Sequence, residues 1–170
     1  MTDTVLQDVV QYKHEIMKAL KNDKALISLL ADVPDIDMDS DVAYDIMDNN
    51  FYDYSFSDNT FQSDKAVVFV EVSMARRPSV QFKSMKVQIQ VLCNKGFAKL
   101  DGKKFRGLIG NRRDNIAVVI ADILDRADEF GVGELLLTTC EPTGTPVGFT
   151  GLGMVFTAVD FAGIEGYDED

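Results

Sequence analysis

Apolar residues near the start of the chain recur at the spacing of an amphipathic helix. Thr4 and Gln7 have capping-box spacing, and Ala25 to Leu30 adds a short second helical stretch. That stretch must end before Pro34, because the residue preceding a proline disfavours helical backbone. The longer apolar stripe consists of Val5, Leu6, Val9, Ile16, Met17 and Leu20. The chain is therefore predicted to open with one long helix and one short helix.

Two later segments alternate apolar and polar residues at the spacing of β-strands. Ala66 to Met74 has one fully apolar face, and Met85 to Cys93 is apolar at every second position. The polar positions of the second segment include Lys86, Gln88 and Gln90. This pattern indicates an antiparallel sheet with one solvated face. The alternation changes phase near Lys83 and Ser84, which predicts a bulge or bend there.

The second half of the chain adds a helix and two further strands. Asn111 to Phe130 carries the strongest helical pattern, closed by Gly131 as a C-terminal cap. Glu134 to Glu141 and Phe149 to Phe161 are the last two strands. The element order is α-(α)-β-β-β-α-β-β, which predicts a single α+β domain over residues 1–170. Its antiparallel or mixed sheet has about four to five strands packed against two main helices.

The segment before the first long strand is acidic and then aromatic. Residues 35–64 combine Asp, Asn and Ser with phenylalanines and tyrosines, which predicts a long loop containing one strand. The alternate spacing of Tyr52, Tyr54 and Phe56 fits core packing of a strand, whereas aromatic residues are also enriched in interface cores. The candidate interface aromatics are Phe51, Tyr52, Tyr54 and Phe56. Residues 163–170 are predicted to be a flexible acidic tail.

Charge is segregated along a strongly acidic chain. The formal net charge is −11, which at long range repels nucleic acid and anionic membranes. Residues 32–64 contain ten aspartates and no lysine or arginine, whereas residues 95–113 contain seven basic residues and one acid. These basic residues are Lys95, Lys99, Lys103, Lys104, Arg106, Arg112 and Arg113. They are candidate contacts to another subunit, a partner or DNA phosphate in a channel, with a solvated loop as the alternative.

Two of these basic residues occupy an unfavourable place in the predicted helix. A helix beginning at Asn111 has Arg112 and Arg113 in its first turn, where its dipole disfavours cations by about 0.3–1 kcal/mol each. This position suggests that another interaction favours them there, although a solvated loop remains the alternative.

Residues with catalytic potential are sparse. The single histidine, His14, lies in the predicted first helix with no motif around it, and no nucleophile elbow, P-loop or paired Cys/His set is present. The alternating aspartates of residues 35–41 have the spacing of calcium ligands. They lack the glycine and the final acid of a calcium loop, because Ser40 and Ile46 occupy those positions. We therefore predict no enzyme activity, no metal and no cofactor.

The cysteines and glycines have structural interpretations. Cys93 and Cys140 lie in strand patterns where free cysteine serves as a small hydrophobic residue, and the reducing cytosol argues against a disulfide. The chain lacks a signal-peptide layout and a membrane-length apolar run, so we expect it in the cytosol when made. A strand follows the glycines of residues 144–153, so they serve turns and close backbone approach rather than phosphate binding.

This layout resembles the phage tail terminator family, also called tail-completion or head-tail joining proteins. The resemblance lies in the order of five segments: Lys24–Asp32, Ala66–Met74, Met85–Cys93, Asn111–Phe130 and Gly153–Phe161. The acidic segment 35–64 is longer than the family pattern. The resemblance implies a homo-oligomer, a hexameric ring on the head-proximal end of the tail tube, assembled in the host cytoplasm and located in the tail-neck region of the virion.

In that family the ring caps the tube and joins the tail to the head. It would contact the tail tube protein on one face and the head-completion or connector protein on the other, while DNA passes through without sequence-specific binding. A head-to-tail ring needs two different complementary patches on each copy, which segregated charge supplies. The alternatives are a head-completion or neck protein of the same particle, a monomeric peptide- or protein-binding module, and a small acid-dependent hydrolase or metal-binding enzyme.

Overall fold

Helices precede and interrupt a run of long strands in the structure, a computed structural model that describes residues 5–57, 61–79, 82–130 and 133–161. The elements, in chain order, are helices α1 Val5–Lys21, α2 Lys24–Ala31 and α3 Asp41–Asn49, strands β1 Phe51–Tyr52, β2 Ala66–Ser79 and β3 Phe82–Asn94, helix α4 Arg112–Leu124, and strands β4 Leu136–Pro142 and β5 Phe149–Phe161. The predicted α+β fold class is confirmed.

The strands form one mixed sheet in the order β1-β2-β3-β5-β4. The short strand β1 is parallel to β2, and every other pair is antiparallel. The central strand β3 pairs along its length with both long neighbours, so that Ile89 lies opposite Val70 on one side and Met154 on the other. Strands β2 and β3 form a hairpin, and β5 pairs with the other edge of β3. The apolar side chains of these three long strands lie together on one face of the sheet.

That apolar face is covered by the helices and forms the main core. Val68, Val87 and Phe156 from three strands are buried in one cluster with helix residues. The helix residues of this cluster include Ile16, Leu20, Leu26, Leu30, Ile116 and Ile120. The predicted alternation in β3 is confirmed, since Val91 and Cys93 are also buried while Gln88 is exposed. The opposite face carries a second, smaller cluster of Val67, Phe69, Leu92 and Phe149.

The predicted long loop over residues 35–64 is corrected by helix α3. Ser40 caps this helix, and its Oγ accepts a hydrogen bond from the Ala43 amide at 3.3 Å. Ala43 and Ile46 are fully buried one helical turn apart, against α2 and β1. Met47 packs against the same core, but four of the nine residues of α3 are Asp or Asn. The apolar signal was therefore too short to indicate a helix.

The last predicted helix is shorter than its pattern indicated. Helix α4 ends at Leu124, because Asp125 is extended and Arg126 adopts a left-handed conformation with φ of 68°. The Asp125 carboxylate accepts a hydrogen bond from the Leu137 amide at 2.8 Å, which turns the chain toward β4. Phe130 is buried without continuing the helix, so its apolar position mimicked the helical period. Gly131 lies outside the described residues.

The predicted strand irregularity lies in the partner strand. Register between β2 and β3 shifts between Ala75 and Ser79, whereas β3 pairs with β5 without interruption from Phe82 to Asn94. The extra residues therefore form a bulge in β2. Lys83 of β3, where the sequence pattern changes phase, lies opposite this bulge. The predicted flexible tail, residues 163–170, lies outside the part of the chain that the structure describes.

Candidate interaction surface

Arg112 begins helix α4 and is 2% exposed, which removes it from the candidate partner contacts. Its Nε donates to the Phe97 carbonyl at 2.9 Å, and its Nη1 donates to the Leu29 carbonyl at 2.8 Å. The third nitrogen, Nη2, donates to the Asp32 carboxylate at 2.6 Å. The guanidinium also lies 4.1 Å from the centroid of the Phe97 ring. Arg112 is therefore an internal anchor that ties α2 and the loop after β3 to α4.

Asp32 supplies the acid that the position of Arg112 requires. It follows α2 in a left-handed conformation with φ of 60°, and its second oxygen accepts from Lys104 Nζ at 2.8 Å. Burial raises the pKa of Asp32, but hydrogen bonds from Lys104 and Arg112 outweigh that effect and hold the pKa below its ordinary 3.8. Lys104 is consequently paired within the chain as well.

Arg113 connects the start of α4 to β5. Its Nη2 donates to the Asp114 carboxylate at 2.6 Å, and its Nη1 donates to the Thr150 hydroxyl at 2.7 Å. Asn111 caps the helix, because its Oδ1 accepts from the Asp114 amide at 2.9 Å. Both arginines in the unfavourable first turn therefore have carboxylate partners inside the same chain.

The other four basic candidates face solvent. Lys95, Lys99, Lys103 and Arg106 are exposed, and none of the ion pairs among the described residues includes them. Their loop is shaped by Asp101, whose Oδ1 accepts from the Lys103 amide at 2.9 Å. These four side chains are the accessible part of the basic stretch.

Most of the candidate aromatics pack within the chain. Phe51 is buried in the main core, and Tyr52 stacks on Phe69 with centroids 5.0 Å apart. Phe56 meets the same ring edge-on at 5.5 Å. Tyr54 is 52% exposed and is the most accessible of these aromatic residues, while its ring centroid lies 5.5 Å from that of Tyr52.

Sequence reasoning missed an apolar groove beside the basic loop. Leu29 of α2, Phe105 and Leu108 of the loop, and Val119 of α4 line this groove. The adjacent Ile109 is 88% exposed. The groove could not be identified from the sequence because its walls come from distant segments, which tertiary packing and the Arg112 anchor bring together across more than eighty positions.

The outer face of α3 is the second missed surface. Asp41, Tyr44, Asp45 and Asp48 recur at helical spacing and are all exposed. These residues have helical spacing in the sequence. Because the segment was predicted to be a loop, they were not expected to share one face.

Other candidate chemistry is dispersed across the described residues. His14 is exposed on α1, and the acidic run of residues 35–41 leads into the Ser40 cap of α3. No group of three metal-binding side chains occurs within those parts of the chain. Gly151 and Gly153 lie under the β4–β5 loop, where a Cβ would come within 2.6 Å of Thr143, which agrees with the predicted close approach.

The two cysteines differ in environment, and both are free. Cys93 is buried, as predicted, and burial raises the pKa of its thiol to about 11. Cys140 is exposed on the edge strand β4, so its predicted burial is wrong. Among the described helices, none has the length and apolarity required to cross a membrane.

Comparison with known proteins identifies both a family and a fold. No curated protein matches the sequence of this chain. A chain in a structure described as "Virion of native gene transfer agent (GTA) particle" is similar in fold, with a TM-score of 0.51 and 13% sequence identity, over 92% of this chain and 98% of that one. The YomW family matches residues 14–158, which is most of the sequence. The chain therefore belongs to the YomW family.

Proposed function

We propose that this chain is a structural virion protein that acts by assembly and without catalysis. The observation that carries the proposal is the fold shared, over nearly the whole of both chains, with a component of a gene transfer agent virion. The accessible features of the surface fit the same role, since exposed cations, an apolar groove and an acidic helix face are features of protein contacts.

Within the virion, the role proposed is that of a tail terminator. The chain would form a ring, hexameric in the family it resembles, that caps the tail tube and joins it to the head. The order of its helices and strands supports this assignment, as does the presence of oppositely charged surfaces on one copy. The net charge of −11 suits a channel through which DNA must pass without adhering, because phosphate affinity comes chiefly from Lys and Arg.

Deletion of the gene in its native particle-producing host tests this proposal. We expect full heads and separate tails of irregular length, with joined particles restored by a plasmid copy of the wild-type chain. Normal particle numbers after deletion would overturn the assembly role. Separate tails of normal length would instead favour a head-completion or neck protein, because tube growth would then be capped by another component. Pull-down with purified tube protein is the matching biochemical readout.

A further inference from the structure

The groove beside the basic loop combines an apolar floor with a positive rim. Leu29, Phe105 and Val119 form part of the floor. Three cations and one carboxylate border it, namely Lys24, Lys104, Arg106 and Asp35. Of these cations, Lys24 and Lys104 are paired to aspartates of the same chain, whereas Arg106 is exposed next to exposed Lys103. On a chain of net charge −11, this groove favours an apolar segment that carries acid.

The outer face of α3 has the opposite character. Asp41, Asp45 and Asp48 lie one turn apart, and like charges at this spacing destabilise a helix. The last turn of α3 contains no basic residue, so Asp48 also opposes the helix dipole. None of the ion pairs within the described ranges reaches these three carboxylates. Between them Tyr44 is 52% exposed, which gives the acidic face an aromatic centre.

These two surfaces are formed by different elements of the subunit. Helix α2 packs against both α3 and α4. The groove opens between α2 and α4, whereas the acidic stripe points away from the buried residues Ala43 and Ile46 of α3. A contact between unlike surfaces of identical copies is heterologous, and repetition of such a contact generates a ring when the rotation closes.

From this geometry we infer that α3 of one copy docks in the α2–α4 groove of the next copy. Tyr44 of the first copy enters the apolar floor near Phe105, while Asp45 and Asp48 face Arg106 and Lys103 of the second. The inference rests on the proposed ring and names its subunit contact. Arg106 and Lys103 of the basic stretch then serve a contact between protein copies.

Cysteine cross-linking in assembled particles tests this contact. One chain carries Asp41→Cys and Ile109→Cys in a Cys140→Ser background, which keeps the docking side chain of Tyr44 and leaves buried Cys93 as the only other thiol. We expect oxidation to give a ladder of covalent multimers in which each copy is linked to the next. In the matched control, Val147→Cys replaces Ile109→Cys at a fully exposed valine of the β4–β5 loop, and no ladder is expected.

Failure of the contact and failure of the proposed function give different results. If intact particles contain the wild-type chain but the Asp41–Ile109 pair gives no ladder, the contact is overturned and the virion role is unaffected. That result would assign the groove to another occupant, such as the acidic C-terminal segment or a different virion protein. Absence of the wild-type chain from purified particles would instead contradict the virion role, and with it the contact.

Charge exchange provides a second test that does not depend on cysteine variants. Arg106→Glu and Asp45→Arg are each expected to weaken self-association about tenfold in sedimentation, and the double variant to recover most of that loss. Equal weakening by both single variants without recovery in the double variant would overturn the pairing. Circular dichroism spectra matching the wild type exclude unfolding as the cause of weakening.

Discussion

The basic stretch contains buried and exposed cations, and the two groups have different roles. At its C-terminal end, Arg112 is nearly inaccessible and donates to two carbonyls and one carboxylate. In the loop before it, Lys103 and Arg106 are exposed and have no acid partner among the described residues. A buried cation must satisfy its hydrogen bonds inside the chain, whereas an exposed cation remains available for another molecule.

Substitutions of the buried and the exposed cations should therefore affect different properties, namely folding stability and assembly. Removal of the anchored arginine should disturb folding, because it leaves buried acceptors unpaired. Removal of the exposed cations should leave folding intact and change only contacts with other molecules.

Substitution of the anchor should cost the most stability. Arg112→Met retains apolar volume but removes the donor to the Leu29 and Phe97 carbonyls and leaves the Asp32 carboxylate with Lys104 alone. We expect a loss of about 3–5 kcal/mol in the free energy of unfolding, measured by urea denaturation. Arg106→Met is the matched control at an exposed position, with an expected change within about 0.5 kcal/mol. Equal losses in both variants would contradict the distinction.

The carboxylate partner should show a smaller effect with a defined pH dependence. Asp32→Asn preserves a residue that tolerates the left-handed backbone and removes the charge that faces Arg112 and Lys104. We expect a loss of about 1–2 kcal/mol at neutral pH, because the carboxylate is partly screened by solvent. Urea titrations across pH measure it, with Asp48→Asn as an exposed control.

The pH profile follows from the sign of the shift. The pKa of Asp32 is lower in the folded protein than its ordinary 3.8, so its contribution is present above that value and is lost as the pH falls below it. The wild type and Asp32→Asn should therefore converge in stability in acid. A gap between them that stays constant down to pH values below the folded pKa would contradict the ion-pair origin.

The second arginine of α4 should have an intermediate role. Arg113→Gln removes the bonds to Asp114 and Thr150 that connect α4 with β5. Because this side chain is partly exposed, we expect a loss of about 0.5–1.5 kcal/mol, measured by thermal unfolding. Thr150→Val completes a double-mutant cycle, and strictly additive losses would show that the two side chains are not coupled.

The exposed cations should contribute least to folding. Lys95→Gln combined with Lys103→Gln is expected to change the free energy of unfolding by no more than about 0.5 kcal/mol. The same variant should self-associate more weakly than the wild type in sedimentation at low salt, because Lys103 belongs to the proposed subunit contact. A large loss of stability would show that these side chains have partners within the chain.

The sequence identified strands more accurately than interactions between distant segments. Alternation from Met85 to Cys93 predicted which side chains of β3 are buried, because the period of a strand is local. Helix α3 was missed because its apolar face is limited to Ala43, Ile46 and half-buried Met47, among acidic residues. No local pattern in the sequence relates Asp32 to Arg112, which pair only in the folded chain. The sequence therefore could not show which cations are buried and which are accessible. The segregation of charge along the sequence indicated an interaction surface. Only the folded chain shows which of the basic residues are exposed on it.

Cryo-electron microscopy of the assembled particle would show directly whether this chain forms a ring at the tail-head junction. We expect a ring of copies with this fold at the head-proximal end of the tail, surrounding the DNA channel, with α3 of each copy against the groove of its neighbour. A reconstruction in which every density at the tail-head junction is explained by other chains, while this protein remains in the unassembled fraction, would contradict this expectation.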